Sequence, residues 1–321
     1  MKKTVSVLLA AVLLLALAAC GSAPAKDSYT VGVCQLVQHP ALDAATEGFC
    51  AALKDKLGDK VTVDVKNASN DSANCPIICD GFVADNYDLI MANATPALQA
   101  AASATDKIPV LGTSVTDYAT ALDIDPASWA GKTGTNVSGT SDLAPLDGQA
   151  AMLNELFPDA KNVGLLYCSG EPNSAYQAKV ITPMLEGYGY TVKAYTFADS
   201  NDVASVAAAA CSENDVLYIP TDNTAASCTE AISNVALPAG VPIIAGEEGI
   251  CAGCGVATLS ISYYDLGYAT GEMAYEILVN GRNPGDMDIR FAPQFTKKYN
   301  EDNCAQLNVT IPDGYEAIAA Q

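Results

Sequence analysis

The segment that decides the fold reads YTVGVCQL from Tyr29 to Leu36 and continues with PALDAATEGFCAALKDKL from Pro40 to Leu57. The first part is apolar and rich in valine, which predicts a strand. The second part predicts a helix, because its alanines recur with Phe49 and Leu53 at helical spacing and form one apolar face. A strand followed directly by such a helix is the repeating unit of parallel α/β sheets.

The same alternation continues along the chain. It predicts strands at 61–65, 88–92, 108–112, 162–168, 191–197, 216–220, 242–245 and 256–261, helices at 73–86, 96–105, 143–157, 174–188, 202–212, 224–236 and 265–280, and an extended tail containing 308–311. A loop around Trp129 separates two runs of this pattern, so we expect an α/β fold with two Rossmann-like lobes, each a parallel sheet flanked by helices. Such sheets bind ligands beyond the carboxyl ends of their strands, which would place a shared cleft between the lobes.

The N-terminus has the composition of an export signal. Lys2 and Lys3 precede an apolar run from Val5 to Ala19 that is too short for a spanning helix. The sequence LAAC ends at Cys20 and resembles the lipobox of bacterial lipoproteins, in which the cysteine is acylated. We therefore expect a signal peptide at 1–19, a lipidated tether at 20–28 and a protein held outside the cytoplasm on the cell membrane. An ordinary signal peptide beside a cysteine is the alternative.

Charge and cysteine usage exclude several classes of function. The net charge of −21 disfavours binding to nucleic acid. Only Arg282 and Arg290 could supply a guanidinium group. Ten cysteines remain once Cys20 is assigned to lipid. The pair Cys251-x-x-Cys254 could bind a metal, but it supplies only two of the four ligands of a zinc site and the chain has one histidine. We expect buried thiols or disulfides, no metal and no cofactor.

Enzymatic motifs are equally scarce. The sequence has no Gly-x-Ser-x-Gly nucleophile elbow and no Gly-rich phosphate loop with a lysine. His39 is the only imidazole that a Ser-His-Asp triad could use, and it stands beside a proline at a helix start. We therefore predict that the protein is not an enzyme.

Polar residues follow the predicted strand ends in both halves. Each of them could cap the helix that follows, as we expect Thr95 to do for the helix at 96–105, and capping explains about half of the set. The candidates for ligand contact are Gln35, His39, Thr95, Thr113, Ser114, Asp142, Asn173, Ser174, Asp222, Asn223, Glu247 and Tyr263. Hydroxyl groups such as those of Thr95 and Ser114, together with helix N-termini, can bind a carboxylate without arginine. Asp222 or Glu247 could pair with an ammonium group. A zwitterionic amino acid fits both, whereas a sugar usually stacks on more aromatic residues than one tryptophan.

Several blocks carry a resemblance to a known family. They are GVCQLVQHPALDAATEGF (32–49), ANATPALQAA (92–101), GTSD (139–142), EPNS (171–174), PTDNTAAS (220–227), AGEEG (245–249) and SYYDLGYATGEMAYEIL (262–278). In this order they resemble the ABC-transporter substrate-binding lipoproteins of the tryptophan/tyrosine-binding type. The resemblance implies the type I periplasmic-binding-protein fold, with three crossings between lobes, and delivery of an aromatic amino acid to an ABC permease and its ATPase.

The resemblance also implies where the site residues lie. The Gln35–His39 loop, Thr95 and Ser114 would form the wall of lobe I, made of 29–139 plus 249–280. The wall of lobe II, made of 140–248 plus 281–321, would hold Asn173, Ser174, Asp222 and Asn223. Asp142 and Glu247 would lie at crossings, and Tyr263 would flank the ligand or pack. We expect a monomer.

Two features depart from the family pattern. The segment ASWAGKTGTN (127–136) replaces its Pro-Gly-Gly-Asn-type turn, and ten cysteines are unusual for it. The alternatives are therefore another cargo in the same fold (a sugar, a nucleoside or a branched-chain amino acid) or a redox or metal-handling surface protein that uses Cys251 and Cys254.

Overall fold

The computed structural model describes residues 26–319, and the predicted signal peptide, Cys20 and the start of the tether lie outside them. The strands are β1 (Tyr29–Gln35), β2 (Val61–Asn67), β3 (Leu89–Asn93), β4 (Val110–Val115), β5 (Val137–Ser141), β6 (Asn162–Cys168), β7 (Thr191–Phe197), β8 (Val216–Ile219), β9 (Ile243–Ala245), β10 (Ala257–Ser260), β11 (Arg290–Phe291), β12 (Thr296–Tyr299) and β13 (Glu316–Ala317). The helices are α1 (Pro40–Leu57), α2 (Asn74–Ala84), α3 (Thr95–Ala104), α4 (Tyr118–Ala121), α5 (Leu146–Leu156), α6 (Pro172–Gly187), α7 (Val203–Glu213), α8 (Asn223–Ser227), α9 (Thr229–Ala239), α10 (Glu248–Cys254), α11 (Tyr263–Leu278) and α12 (Glu301–Leu307).

The strands form two sheets, one in each lobe. The first has the order β11-β5-β4-β3-β1-β2 and is parallel throughout. The second has the order β13-β12-β10-β9-β8-β6-β7, and only the β10–β12 pair is antiparallel. Strand β1 is buried on both faces, because Val31 and Val33 pack in one core with Phe49 of α1 while Cys34 packs in another with Phe82 of α2. The predicted fold of two α/β lobes is confirmed.

The sheets correct the predicted lobe boundaries in two places. Strand β10 pairs with β9, so residues 249–261 belong to lobe II, where they complete its sheet. Strand β11 pairs with β5, and Met287 and Ile289 are buried in the cores of lobe I, so residues 281–291 belong there. The chain therefore crosses between the sheets after β5, after β10 and after β11.

Two glycines hold α11 against α1 in lobe I. A Cβ atom on Gly267 would lie 1.9 Å from the carbonyl oxygen of Ala45, and one on Gly48 would lie 2.0 Å from that of Tyr264. The two helices therefore touch backbone to backbone, which fixes the start of α11 beside the start of α1. Both starts lie next to the crossings.

Three local predictions were wrong. The tail, expected to be extended, holds the helix α12 between β12 and β13, and the helix predicted at 224–236 is divided into α8 and α9 at Cys228. Thr95 does not cap α3: Ala94 occupies the cap position, and Thr95 is the first residue of the helix. The hydroxyl group of Thr95 is therefore left for another partner.

Within residues 26–319, no helix combines the length and the apolar character that crossing a bilayer requires.

Candidate functional site

Three neighbouring strands of lobe I end side by side. In the register of the sheet Gln35 lies opposite Asn93, and Asn93 lies opposite Thr113. The loops that follow these strands carry His39, directly before α1, and Thr95, at the start of α3. Ser114 lies at the end of β4 itself. The lobe I candidates therefore share one edge of the sheet.

The facing edge of lobe II is tied together by side chains. Asn173 Nδ2 donates to the Thr221 carbonyl oxygen at 3.0 Å, which joins the start of α6 to the loop after β8. The backbone N–H of Cys168 donates to Asp222 Oδ2 at 2.7 Å, which joins the end of β6 to the start of α8. The lobe II candidates therefore also lie together.

The two edges touch across the cleft. His39 Nε2 lies 3.3 Å from Asn223 Oδ1, and Gln177 Nε2 of α6 donates to Thr116 Oγ1 at 3.5 Å. Each contact joins a residue of lobe I to one of lobe II. His39, Gln177 and Thr116 are fully or almost fully buried. The structure is therefore that of a closed cleft.

Four buried polar atoms of this cleft have no protein partner. They are Nδ1 of His39, Oγ1 of Thr95 and Oγ of Ser114 in lobe I, and Oδ1 of Asn173 in lobe II. Leaving such an atom unpaired costs about 1–3 kcal/mol. Among residues 26–319 only seven buried side-chain N or O atoms are unpartnered, and four of them belong to predicted site residues. This concentration is what a site shows when a ligand completes its hydrogen bonds.

The hydrogen bonds fix what each of these atoms offers. Asn223 Nδ2 donates to Glu171 Oε2 at 2.7 Å, so the atom that faces His39 is the amide oxygen. His39 Nε2 must therefore carry the hydrogen, and burial lowers the pKa of His39, which favours the neutral ring. Its Nδ1 is then an acceptor, as is Oδ1 of Asn173. The hydroxyl groups of Thr95 and Ser114 can donate.

Glu171 organises the wall of lobe II and is not among the residues predicted for the site. Its Oε2 accepts from the N–H and the Nδ2 of Asn223 and from Nδ2 of Asn173, and its Oε1 accepts from the N–H and hydroxyl of Thr224, all between 2.7 and 3.0 Å. This buried carboxylate binds both amide NH₂ groups, so the amide oxygens of Asn173 and Asn223 remain for other partners. Its place in the block EPNS and its position directly before Pro172 at a helix start were the available signals.

Asp222 has a structural role that corrects the ammonium-binding role given to it. Its Oδ1 accepts from the N–H of Ala225 at 2.7 Å, and its Oδ2 accepts from Cys168 N–H and from Ser174 Oγ at 2.7 Å. Burial, and secondly the charge of Glu171, raise its pKa to about 8. The hydroxyl group of Ser174 is engaged in this hydrogen bond to the capping carboxyl group of Asp222. Both side chains hold lobe II together at the start of α8.

Asp142, Glu247 and Tyr263 form a buried group at the crossings. Asp142 accepts from Tyr263 OH at 3.0 Å and from Thr116 Oγ1 at 3.1 Å. Glu247 caps α10 by accepting from the N–H groups of Gly249 and Ile250. Burial raises the pKa of Asp142 to about 6 and that of Glu247 to about 7. Tyr263 was predicted either to flank the ligand or to pack, and the hydrogen bond of its hydroxyl group to Asp142 favours packing at the crossings.

Gln35 and Thr113 support the wall of lobe I from within. Gln35 Nε2 donates to Asp43 Oδ1 at 2.6 Å, and its Oε1 accepts from Thr46 Oγ1 at 2.6 Å. Thr113 Oγ1 accepts from Thr140 Oγ1 at 3.2 Å. These bonds fix the loop before α1 and the end of β4, next to the residues with unpartnered atoms.

The backbone of the lobe I wall is strained at two residues. Ala94 has φ +95° and ψ 158°, a region that is almost restricted to glycine, and Ser114 has φ +54°. Such conformations cost about 1–3 kcal/mol each and concentrate at functional sites. Both residues lie at strand ends. Ala94 directly precedes Thr95, whose hydroxyl group is unpartnered, and Ser114 carries an unpartnered hydroxyl group itself.

Two cavities are lined by Pro96, which directly follows Thr95. One of about 530 Å³ is lined mostly by residues of α2 and α3 in lobe I and reaches Gly170 and Pro172 of lobe II. A second of about 100 Å³ shares Pro96 and Gly170 and reaches Glu171 and Thr224. Within the described chain, no group of three or more His, Cys, Asp or Glu residues is arranged to hold a metal ion.

Comparison with known proteins gives consistent matches. The family model described as ABC transporter substrate binding protein matches residues 30–321. A tyrosine-binding protein of Clostridioides difficile (strain R20291) is 37% identical over 287 residues, which cover 88% of this chain and 82% of that protein.

Two solved structures, one with ligand and one without, are also similar. An ABC domain from Streptococcus pneumonia in complex with L-Trp is 30% identical, with 91% of this chain and 100% of that chain covered, at a TM-score of 0.85. The ligand-free, open structure of a substrate binding protein with adhesive properties from Clostridium difficile is 35% identical over 91% of this chain and 100% of that chain, at a TM-score of 0.68. The L-Trp complex is therefore closer in shape although it is more distant in sequence.

Proposed function

Because the chain belongs to the ABC transporter substrate-binding protein family, we propose that it binds an aromatic amino acid between its lobes and delivers it to an ABC permease. Its relatives include a tyrosine-binding protein and a domain solved with L-Trp. Neighbours with bound sugars or inositol are below 25% identity and share only the fold.

The observation that carries the proposal is the set of four unpartnered atoms. The hydroxyl groups of Thr95 and Ser114 suit a carboxylate, and the N-terminus of α3 adds the positive end of its dipole. Asn173 Oδ1 and His39 Nδ1 are acceptors that suit an ammonium group. An α-amino acid presents both groups on one carbon atom, which a sugar or a nucleoside does not.

The closed cleft agrees with this function. A binding protein of this architecture traps its ligand by hinge closure. The His39–Asn223 and Gln177–Thr116 contacts close the cleft here, and the higher TM-score to the L-Trp complex than to the open structure supports the same state.

A thermal-shift panel tests the proposal directly. We expect tyrosine, tryptophan or phenylalanine to raise the Tm, whereas tyramine, which lacks the carboxylate, and 3-(4-hydroxyphenyl)propionate, which lacks the amine, should not. Stabilisation by a sugar, a nucleoside or a branched-chain amino acid in place of all three aromatic amino acids would refute the proposed ligand class.

A Thr95→Val variant tests the proposed carboxylate contact. It removes the hydroxyl group and keeps the shape, so we expect affinity to fall by about tenfold. Thr62→Val, on an exposed position of β2, is the matched control and should bind normally. Equal affinities of the two variants would remove Thr95 from the site.

The cellular role is proposed from the N-terminus. Export by a signal peptide at 1–19 and a lipid on Cys20 would hold the monomeric protein on the outer face of the cell membrane, where it can reach the permease, whose ATPase subunits lie on the cytoplasmic side. Cys20→Ala should abolish incorporation of labelled palmitate into the protein, whereas Cys50→Ala should leave it unchanged. A Cys20→Ala protein that still incorporates palmitate would contradict the lipid anchor.

A further inference from the structure

His39 is the single histidine of the sequence, and its ring is buried where the two lobes meet. Nε2 lies 3.3 Å from Asn223 Oδ1 of lobe II. Nδ1 is buried as well, and no polar atom of residues 26–319 is paired with it. One side of the ring is therefore occupied by the opposite lobe, and the other side is left for the ligand.

The neighbours of the ring decide where its protons are. Glu171 Oε2 accepts from Nδ2 of Asn223 at 2.7 Å, which leaves the amide oxygen of Asn223 facing His39. A hydrogen on Nε2 satisfies that oxygen, so Nδ1 carries a lone pair in the neutral ring. A second proton can be added only at Nδ1. Protonation therefore converts the free acceptor into a donor and leaves the contact with Asn223 in place.

Under the proposed function, the same nitrogen is an acceptor for the ammonium group of the ligand. Asn173 Oδ1 is another buried acceptor without a partner, and the NH₂ group of Asn173 is bound to Glu171. Two acceptors backed by one carboxylate suit a single cation. An imidazolium at His39 would direct an N–H group and a positive charge at the ammonium group, and two positive charges in contact repel strongly in a buried site. The ring proton and the ammonium group therefore exclude each other.

We propose that His39 makes ligand binding sensitive to pH: the neutral ring accepts a hydrogen bond from the ammonium group at Nδ1, and in acid a proton on that nitrogen releases the amino acid. This inference rests on the proposed function, because that function assigns the ammonium group to this place. Histidine is the side chain that ordinarily titrates between about pH 5 and 8. One proton is taken up from solvent for each ligand released, and no covalent bond of the ligand changes.

The charged groups on the elements around the ring are mostly carboxyl groups. They are Asp43 on α1, Glu171 before α6, Asp222 before α8, and, on α10 where it lies against α1, Glu247 and Glu248, the latter paired with Lys298. The charges of Glu171 and Asp43 favour the protonated ring, but burial in the closed cleft outweighs them and lowers the pKa of His39. Opening of the cleft breaks the contact with Asn223 and brings water to the ring, which removes the cost of burial. Protonation therefore favours the open, empty form.

Proton NMR reads His39 directly, because the chain has one imidazole. This selectivity matters, since Asp222 and Glu247, with pKa values raised to about 8 and about 7, also gain protons as the pH falls. The Cε1–H signal is followed from pH 8 to pH 4.5 without ligand and with saturating L-tyrosine, L-tryptophan or L-phenylalanine, whichever binds at pH 7.5. We expect bound ligand to lower the midpoint of the titration by about one pH unit or more. An unchanged or raised midpoint would refute the inference.

The affinity as a function of pH supplies the second test. By linkage, a midpoint that is about one pH unit lower in the complex corresponds to an affinity about tenfold lower once the ring of the free protein is protonated. Calorimetric titration should therefore show about tenfold weaker binding at pH 5 than at pH 7.5. His39→Gln keeps a donor and an acceptor but has no titrating proton, so it should lose far less affinity over this range, whatever its affinity at pH 7.5. Glu248→Gln, which removes a titrating group of α10, is the control and should keep the tenfold loss.

The outcomes separate this inference from the proposed function. If the unsubstituted protein and His39→Gln lose affinity equally in acid, or if neither loses it, the inference fails while the ligand class stands. If none of the three amino acids binds at pH 7.5, the proposed function fails and the inference falls with it. If His39→Gln does not fold, the NMR titration of the unsubstituted protein still decides.

Discussion

His39 Nε2 and Asn223 Oδ1 lie 3.3 Å apart across the cleft, and this contact joins the start of α1 in lobe I to the start of α8 in lobe II. Asn223 is held by two bonds to Glu171, and His39 precedes a proline. Each lobe therefore holds its own half of the contact rigidly, and closure brings the two halves together. The contact can form only when the lobes are closed.

We predict that Asn223→Ala weakens binding of the preferred aromatic amino acid by about 5–10-fold, because the closed form loses one hydrogen bond worth about 1 kcal/mol. Calorimetric titration measures the affinity, and small-angle X-ray scattering of the ligand-bound protein should show a larger radius of gyration. Asn201→Ala, on an exposed loop of lobe II, is the control. Unchanged affinity in Asn223→Ala would show that the contact does not contribute to closure.

Ser114 combines strain and function in one residue. Its φ of +54° and its buried, unpartnered hydroxyl group both destabilise the ligand-free protein. We predict that Ser114→Gly raises the free energy of unfolding of the ligand-free protein by about 1 kcal/mol, after the entropy cost of glycine, and lowers ligand affinity by about tenfold. Chemical denaturation and calorimetric titration measure the two effects.

Ser69→Gly is the matched control for Ser114→Gly. Ser69 has φ +58° but is exposed and is not one of the proposed ligand contacts. It should gain a little stability from relief of the same strain and keep full affinity. Full affinity of Ser114→Gly would remove Ser114 from the site.

The fold could be predicted because its signal is local. The valine-rich β1 and the alanine face of α1 encode a buried strand and an amphipathic helix within 29 residues, from Tyr29 to Leu57, and the same pattern repeats. The lobe boundaries depend on pairing between distant segments, such as β10 with β9 and β11 with β5. Edge strands as short as β11 carry no periodicity, so their sheet could not be assigned from sequence.

The site could be located from strand ends, but the roles of its residues could not. Asp222 and Glu171 are both acidic residues at helix starts, and no local pattern shows that each is saturated by N–H and O–H donors. Thr95 resembles a cap, yet the cap position belongs to Ala94 in a conformation that alanine rarely adopts. Such roles are set by tertiary hydrogen bonds and by backbone strain.

Buried carboxyl groups give the ligand-free protein a characteristic pH dependence. The raised pKa of Glu247, about 7, and that of Asp222, about 8, mean that the folded protein holds protons that the unfolded chain has released above about pH 4.5. The free energy of unfolding therefore falls as the pH rises toward and through the pKa values of Glu247 and Asp222 in the folded protein. Below about pH 6.5 the lowered pKa of His39 acts in the opposite direction, because only the unfolded chain then gains that proton.

We predict that the free energy of unfolding falls by about 2 kcal/mol between pH 6.5 and pH 8. Urea denaturation at several pH values measures this slope. Asp222→Asn should flatten most of it, whatever its effect on absolute stability, whereas Asp313→Asn, at an exposed position, should leave the slope intact. An unchanged slope in Asp222→Asn would show that Asp222 does not hold the proton.

The backbone contact between α1 and α11 predicts the cost of a single methyl group. A Cβ atom on Gly267 would lie 1.9 Å from the Ala45 carbonyl oxygen, which belongs to backbone inside a helix and cannot rotate away. Gly267→Ala should therefore force the helices apart and lower the free energy of unfolding by about 2–4 kcal/mol. Because α11 begins beside the crossing, ligand affinity should fall as well.

Gly187→Ala, at the end of α6, is the control: its Cβ atom would meet no atom within 4 Å, so the free energy of unfolding should stay unchanged or rise slightly. Equal stability of the two variants in urea denaturation would show that α1 and α11 do not pack this closely.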